Sequence, residues 1–201
     1  MGGMTPRNHA GMTLIEVIVL LVILLGVFLV MPTCSSPHLG TKGRGELSQA
    51  LSNMKQLHLA TQQMALDATT DATTNVGWPG NSGGTFTNWT TQLVEGKYLS
   101  KEELAKLLSG PGISVRPASV FVSNNTALLV YAVTEDSDGG NVFLSSANFT
   151  NTATGGSCDP SAKPFGTNGF VVFRKAGHGA ILQGRFAGRP NEVGLFTPLC
   201  H

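Results

Sequence analysis

Residues 46–67, ELSQALSNMKQLHLATQQMALD, contain the pattern that decides the fold of most of this chain. Apolar and small side chains recur there at spacings of three and four residues: Leu47, Ala50, Leu51, Met54, Leu57, Thr61, Met64 and Ala65. This period is typical of an amphipathic helix whose apolar face packs against another element. We therefore predict a helix over 46–67 that packs on a sheet, with Lys55 and His58 solvated or at the edge of the helix.

The residues after this helix predict two short helices and then a sheet. Within 87–112, Gly96 suits the C-cap of the first helix, and Ser100 and Glu103 form a capping box at the start of the second. Runs of β-branched and aromatic residues between turn residues predict strands at 119–123, 127–134, 142–147, 169–175 and 180–184. Residues 46–201 are therefore predicted to form one α+β domain with a C-terminal antiparallel sheet.

The residues ahead of this domain divide into a linker and an apolar run. Prolines and glycines are dense in 33–45, which predicts a flexible or kinked linker because neither residue sustains a helix. Residues 14–31 are apolar except for Glu16, and a membrane-spanning helix needs about 20 mostly apolar residues. We therefore predict a transmembrane helix over 12–32.

The flanks of the apolar run bear on its orientation and on competing interpretations. The cations ahead of it favour a cytoplasmic N-terminus, whereas Lys42 and Arg44 behind it argue for the reverse. An ordinary signal peptide has a shorter apolar core and a small-residue cleavage site, and MPTCSSP at 31–37 contains no such site. A lipoprotein signal at Cys34 would need a small residue before it, and Thr33 fits that requirement poorly.

Glu16 separates a plain membrane anchor from a more specific interpretation. A carboxylate inside a membrane span is costly, so it usually has a function and a partner. A plain anchor accounts for the length of the apolar run, but it gives Glu16 no function and no partner.

The motif G-M-T-L-I-E-V at 11–17, with the apolar run behind it, resembles the processing site of type IV pilins and type II secretion pseudopilins. In that family a prepilin peptidase on the cytoplasmic side cuts a short leader after the glycine, and the new N-terminal residue is methylated. The resemblance implies that 1–11 is the leader, that Gly11 precedes the cut and that Met12 becomes the methylated N-terminus. Most members have Phe where this chain has Met12.

The same resemblance gives roles to the residues behind the cut. Thr13, Leu14 and Ile15 match the recognition residues, and Glu16 matches the glutamate of the family. Cleavage would place a charged amine at Met12 in the same low-dielectric layer as Glu16, where each charge is compensated only when it is paired. In the family this glutamate pairs with the N-terminus of the neighbouring subunit, so the resemblance implies that Glu16 sets the register of assembly.

The resemblance implies a pilin-like α+β fold: the transmembrane helix, the linker and an exported domain in which the amphipathic helix packs on the sheet. The implied function is that of a structural subunit of a type IV pilus-like or pseudopilus filament. Its partners would be further copies and other pilins, the prepilin peptidase, an inner-membrane platform protein and an assembly ATPase.

The implied location is the bacterial inner membrane, with a single pass, a cytoplasmic N-terminus and a periplasmic domain, followed by a filament in the envelope or at the surface. The motif does not distinguish a pilus from a pseudopilus or a DNA-uptake filament. The alternative from another class is a membrane-anchored periplasmic binding or sensory domain that never polymerises.

Three cysteines, Cys34, Cys158 and Cys200, make an odd count. In an exported domain, Cys158 and Cys200 are candidates for a disulfide, although spacing alone does not fix the connectivity. Cys34 would lie beside the membrane, either free or linking neighbouring subunits. The spacing of the cysteines and histidines matches no zinc pattern.

The acidic loop EDSDGGN at 135–141 is a candidate calcium site through Glu135, Asp136 and Asp138, because hard cations take oxygen ligands. Some major secretion pseudopilins bind calcium in their C-terminal loops. A solvated hairpin is the favoured interpretation, so no cofactor is predicted beyond this candidate ion.

Charge and motifs indicate neither a nucleic-acid partner nor a catalytic site. The net charge is +1 and the chain has no basic run. GNSGG at 80–84 resembles the nucleophile loop of trypsin-like proteases, but Asn81 stands where that loop has its acid and no matching histidine segment exists. No P-loop or dinucleotide fingerprint is present. We therefore predict no catalytic residues and a chain that is not an enzyme.

Overall fold

The computed structural model of the protein describes residues 41–70, 76–152, 155–159 and 161–200. Three helices come first in this part of the chain: α1 (Thr41–Thr70), α2 (Phe86–Glu95) and α3 (Lys101–Leu108). The strands of the same part are β1 (Leu128–Val130), β2 (Asn141–Ser146), β3 (Phe149–Thr152), β4 (Gly155–Cys158), β5 (Phe170–Arg174), β6 (Gly179–Leu182) and β7 (Leu195–Phe196). A one-turn helix, α4 (Pro190–Val193), precedes β7.

The main sheet has the strand order β1-β2-β5-β6, and each neighbouring pair is antiparallel. β7 adds to the same sheet by pairing parallel to β2, through Asn141 and Val142. Because β1 pairs only with the last residues of β2, β7 occupies the length of β2 that the short β1 leaves open. β3 and β4 form a separate two-stranded hairpin.

One face of the main sheet is covered by α1, which packs on β5 and β6. The apolar face of α1 is buried as its period predicts, and it includes Leu47, Ala50, Met54, Leu57, Met64 and Ala65. Trp89 from α2 is fully buried in this core, with its ring 5.9 Å from that of Phe143 in an edge-to-face arrangement. Its indole N–H donates to Thr61 Oγ1 at 3.2 Å, so that the polar atom of the largest core side chain is satisfied. We call this cluster the α1-side core.

The opposite face of the sheet is covered by the β3–β4 hairpin and the C-terminal segment. Its buried side chains are Tyr131, Val142, Phe149, Phe170, Val172, Ala187 and Val193. Phe149 and Phe170 stack at 4.7 Å, and Phe196 stacks on Phe149 at 5.6 Å. Since successive side chains of a strand point to opposite faces, β5 contributes to both cores. We call this cluster the second core.

The two short helices and their caps confirm the prediction for 87–112. Gly96 caps α2 at its C-terminus, where its N–H donates to Gln92 O at 2.9 Å. Ser100 accepts from the backbone N–H of Glu103 at 3.2 Å, while Glu103 Oε2 accepts from the N–H of Ser100 at 2.9 Å. This reciprocal pair is the predicted capping box.

The start of α1 corrects the predicted boundary of the linker. The helix begins at Thr41 instead of 46, so the last five residues of the predicted linker 33–45 are helical. Gly43 and Gly45 each cost a helix about 1 kcal/mol relative to alanine. They do not end it, because extending a helix from a packed turn needs no new nucleation. The remainder of the predicted linker, 33–40, lies outside the described residues.

The segment 119–123 is not the predicted strand. It is flanked by 3-10 turns at Pro117–Ser119 and Ser123–Asn125, with Val120 fully buried between them. Pro117 has a fixed φ that suits the first position of such a turn and has no N–H to give to a sheet. The sheet therefore begins later, at Leu128.

The predicted fold class, a pilin-like fold led by a transmembrane helix, is wrong for the part of the chain that the structure describes. No helix among these residues is both long enough and apolar enough to cross a membrane. The longest, α1, has 30 residues, but most of its exposed side chains are polar. The described part is α+β, with a sheet that is antiparallel apart from β7. The segment 12–32 lies outside it.

Candidate functional site

The residues predicted for processing and assembly lie outside the part of the chain that the structure describes. These are Gly11, Met12, Thr13, Leu14, Ile15 and Glu16, and Cys34 lies outside it as well. Their roles stay predictions that rest on the sequence. The described residues contribute the surfaces and buried polar groups that follow.

His58 lies at the junction between α1 and the sheet. Its side chain is buried, 5% exposed, and its ring lies 5.6 Å from Trp78, 5.2 Å from Phe173 and 6.1 Å from Phe143. Nε2 is 2.7 Å from the backbone carbonyl of Lys175, to which it donates. The helix is thereby joined to the turn between β5 and β6 by a buried hydrogen bond. The prediction that His58 is solvated or at the edge is wrong.

The surroundings of His58 favour the neutral imidazole. Burial lowers the pKa of His58, and the hydrogen bond to the Lys175 carbonyl opposes that effect without overcoming it. His58 therefore acts as a neutral donor that positions a turn. The sequence did contain a signal for its burial, since position 58 follows Met54 by four residues and Leu51 by seven on the same helical face.

The predicted calcium loop is organised around a lysine. Lys175 Nζ donates to the carbonyl oxygen of Glu135 and, at 2.8 Å, to that of Ser137, and it lies 5.6 Å from the centre of the Trp78 ring. The side chains of Glu135, Asp136 and Asp138 are exposed. Asp138 Oδ1 accepts from the N–H of Gly140 at 2.7 Å in a local turn.

These carboxylates do not converge on one point. The part of the chain that the structure describes contains no group of three His, Cys, Asp or Glu side chains that could hold a metal ion. The ammonium of Lys175 instead donates hydrogen bonds to the backbone carbonyl oxygens of Glu135 and Ser137 in this loop.

The candidate disulfide between Cys158 and Cys200 is absent from the structure, in which both residues are free thiols. Cys200 is buried in the α1-side core, whereas Cys158, at the end of β4, packs against the second core. Burial raises the pKa of the Cys200 thiol to about 12, and it also raises the pKa of Cys158. Because the thiolate is the reactive form, burial disfavours the reactive form of both cysteines.

A half-open groove separates α1 from α3. It has a volume of about 420 Å³ and is lined by Glu46, Gln49, Ala50, Asn53, Lys106, Ser109, Gly110 and Pro111. Asn53 forms its buried floor, donating to Leu107 O at 3.3 Å and accepting from Gln49 Nε2 at 2.9 Å. The groove combines one carboxylate, one ammonium and several amide groups, which suits a small polar ligand.

The outer face of α1 carries two exposed leucines. Leu59 is 54% exposed and Leu66 is 56% exposed, and they lie two turns apart on the same side of the helix. The exposed residues between them are the uncharged Gln62 and Gln63. This outer face, defined by Leu59, Gln62, Gln63 and Leu66, is therefore free of charge over two turns. In a search of known proteins, no protein-family model, curated protein or solved structure matches this chain.

Proposed function

We propose that the chain is a filament subunit of the type IV pilin or pseudopilin kind, released from its leader between Gly11 and Met12. The observation that carries the proposal is the register of three features at 11–31: the glycine, the glutamate five residues after it, and the apolar run. A chance match must satisfy all three at once, which makes the motif specific.

The proposed chemistry of assembly is charge compensation. After the cut, the amine of Met12 and the carboxylate of Glu16 both lie in an apolar layer, and each is costly there without a partner. A carboxylate that pairs with the amine of the neighbouring copy fixes the position of one subunit along the next. The pair therefore specifies the register of the filament more than it adds stability.

The outer face of α1 supports the proposal. A helix surface with exposed Leu59 and Leu66 and no charge between them can pack against the helix of another subunit. The apolar face of the same helix is already covered by the sheet. One side of α1 is thus available for assembly while the other holds the domain together.

The resemblance also supplies the proposed partners and location. A prepilin peptidase would cut the chain at the inner membrane of a bacterium. An inner-membrane platform protein and an assembly ATPase would then build the processed copies into a filament of the envelope or surface.

The cut tests the proposal directly. In a host with a prepilin peptidase, Gly11→Ala is expected to leave the leader attached, because the peptidase recognises the glycine before the cut. Gly3→Ala, a matched change inside the leader, should be processed like the parent chain. The two species differ by the mass of residues 1–11 and separate on a gel. Processing that is unaffected by Gly11→Ala would contradict the proposal.

A second candidate function is that of an anchored binding or sensory domain, and the groove between α1 and α3 favours it. The two functions differ in their dependence on Glu16. Glu16→Ala should abolish cross-linked oligomers in native membranes if the chain builds a filament, while Glu46→Ala in the groove should not. A chain that works as a monomer after Glu16→Ala would support the binding domain instead.

A further inference from the structure

The segment after β6 places two guanidinium groups on one aromatic ring. The Cζ atom of Arg185 lies 5.0 Å from the centre of the Phe186 ring, and that of Arg189 lies 5.1 Å from it. Both arginines are exposed, while Phe186 is partly buried. Two like charges this close repel each other, and the electron-rich face of the ring offsets part of that repulsion. We call Arg185 and Arg189 the arginine pair.

The backbone under the arginine pair is fixed. The N–H of Phe186 donates to Gln183 O at 2.9 Å, and the N–H of Arg189 donates to Phe186 O at 3.0 Å. Between them, Ala187 is buried in the second core, and its carbonyl accepts from the N–H of Gly156 at 3.1 Å. The backbone that carries the arginine pair is therefore held in place, which removes part of the entropic cost of binding an anion.

The arginine pair differs from the neighbouring cations Arg174 and Lys175, whose side chains donate hydrogen bonds to backbone carbonyls. Residues 161–201 contain five Lys and Arg residues and one acid, Glu192. Arg174 donates to the carbonyls of Glu192 and Val193, and Lys175 donates to those of the loop at 135–138. Among the described residues, no carboxylate forms an ion pair with either member of the arginine pair.

The same chain presents a complementary surface at the other end of the β5–β6 hairpin. The loop at 135–138 exposes three carboxylates, and Lys175 in the hairpin turn holds its backbone. The arginine pair follows the last residue of β6, so a strand of 4 residues lies between the two surfaces. Within the described part of one copy the arginine pair forms no ion pair with these carboxylates, so a second copy can bring the two surfaces together.

We propose that the arginine pair of one copy binds the acidic loop at 135–138 of a second copy. The contact joins two different surfaces, so each copy keeps one of each surface open, and such a heterologous contact propagates into a filament. The inference rests on the proposed function and deepens it by naming the surfaces through which the domains meet. Complementary charges of this kind steer association and suppress wrong pairings.

The first test is a map of the contact in the full chain in its native membrane. Arg185→Lys with Arg189→Lys keeps both charges and adds primary amines, which a carbodiimide couples to nearby carboxylates. Copies labelled with ¹⁴N and with ¹⁵N are mixed, so mass spectrometry separates links between copies from links within one. We expect mixed-isotope peptides that join position 185 or 189 to Glu135, Asp136 or Asp138. Links only to other carboxylates would overturn the inference.

The second test exchanges the charges. Arg185→Glu with Arg189→Glu should lower the yield of formaldehyde-linked oligomers by about tenfold or more, because like charges then face each other. Asp136→Arg with Asp138→Arg should do the same, and co-expression of the two variants should restore the yield. Lys101→Glu with Arg116→Glu is the matched control, since both residues are exposed, lie elsewhere and give the same change in net charge.

The outcomes separate the inference from the proposed function. A loss no larger than that of the control, or no restoration on co-expression, overturns the contact and leaves the proposed function standing if residues 1–11 are removed. An intact leader defeats the proposed function, and the isotope-mixed links still decide the contact. If a reversed variant fails to accumulate, the charge-conserving lysine variant gives the deciding result.

Discussion

The two faces of the main sheet are buried by different means. The α1-side core is built from one long periodic helix and two capped short ones, with Trp89 at its centre. The second core is a stack of aromatic rings closed by the β3–β4 hairpin and the C-terminal segment. The strand β5 serves both. The difference shows that one face of the sheet is covered by regular helices and the other by a short hairpin and the C-terminal segment.

Loss of the central side chain of the α1-side core should have the largest effect. Trp89→Ala removes a fully buried ring and its hydrogen bond to Thr61, so we expect the free energy of unfolding to fall by about 3–5 kcal/mol. Chemical denaturation followed by circular dichroism measures it. Trp89→Phe keeps a ring edge near Phe143 and should lose clearly less. Equal losses in the two variants would show that the ring does not fill this core.

A side chain that closes the second core should matter less. Phe196 is only partly buried, although it contacts Phe149 at 5.6 Å and Tyr131 at 5.1 Å. Phe196→Ala should lower the free energy of unfolding by about 1–2 kcal/mol, because part of its apolar surface is already in water. Leu195→Ala, at the exposed neighbour, is the control. A loss as large as that of Trp89→Ala would remove the contrast between the two cores.

Buried titratable groups should make the fold lose stability at both extremes of pH. The pKa of His58 is lowered from 6.5 by burial, so the folded state prefers the neutral ring, and stability is lost as the pH falls from 6.5 toward the folded pKa. The pKa of Tyr131 is raised from 10.0 by burial, so stability is lost as the pH rises above 10.0.

Single substitutions show which residue causes the loss of stability at acid pH and which causes it at alkaline pH. His58→Phe should flatten the loss of stability on the acid side, and Tyr131→Phe should reduce it on the alkaline side. The Cys200 thiol, with its pKa raised to about 12, accounts for part of the alkaline loss that remains. Thermal melting across the pH range measures both limbs. An acid limb that persists in His58→Phe would contradict the assignment.

The smallest effect on folding is expected on the outer face of α1. Leu59→Gln with Leu66→Gln should change the free energy of unfolding by less than about 0.5 kcal/mol, since both side chains are exposed. The yield of cross-linked oligomers in native membranes should nevertheless fall. Gln62→Ala with Gln63→Ala is the matched control on the same face. Unchanged oligomers would show that this face takes no part in assembly.

The contrast between the cores also explains which parts of the fold could be predicted. The period at 46–67 and the capping box at Ser100 are local signals, and both are confirmed by the structure. β4 and β7 were not predicted, because GGSC and LF carry no strand pattern; β4 is fixed by its pairing with the neighbouring β3, and β7 by its pairing with the distant β2. The arginine pair was missed because the sequence does not show the turn at 184–189 that brings both arginines to Phe186.

The proposal that this chain is a filament subunit depends on Glu16 and on the cut after Gly11. The N-terminus of the mature protein tests it most directly. The measurement is intact mass together with N-terminal peptide analysis of the chain from its native membrane. We expect the loss of residues 1–11 and a methylated Met12. An intact Met1, or a cut beyond Met31, would contradict the proposal that this chain is a filament subunit.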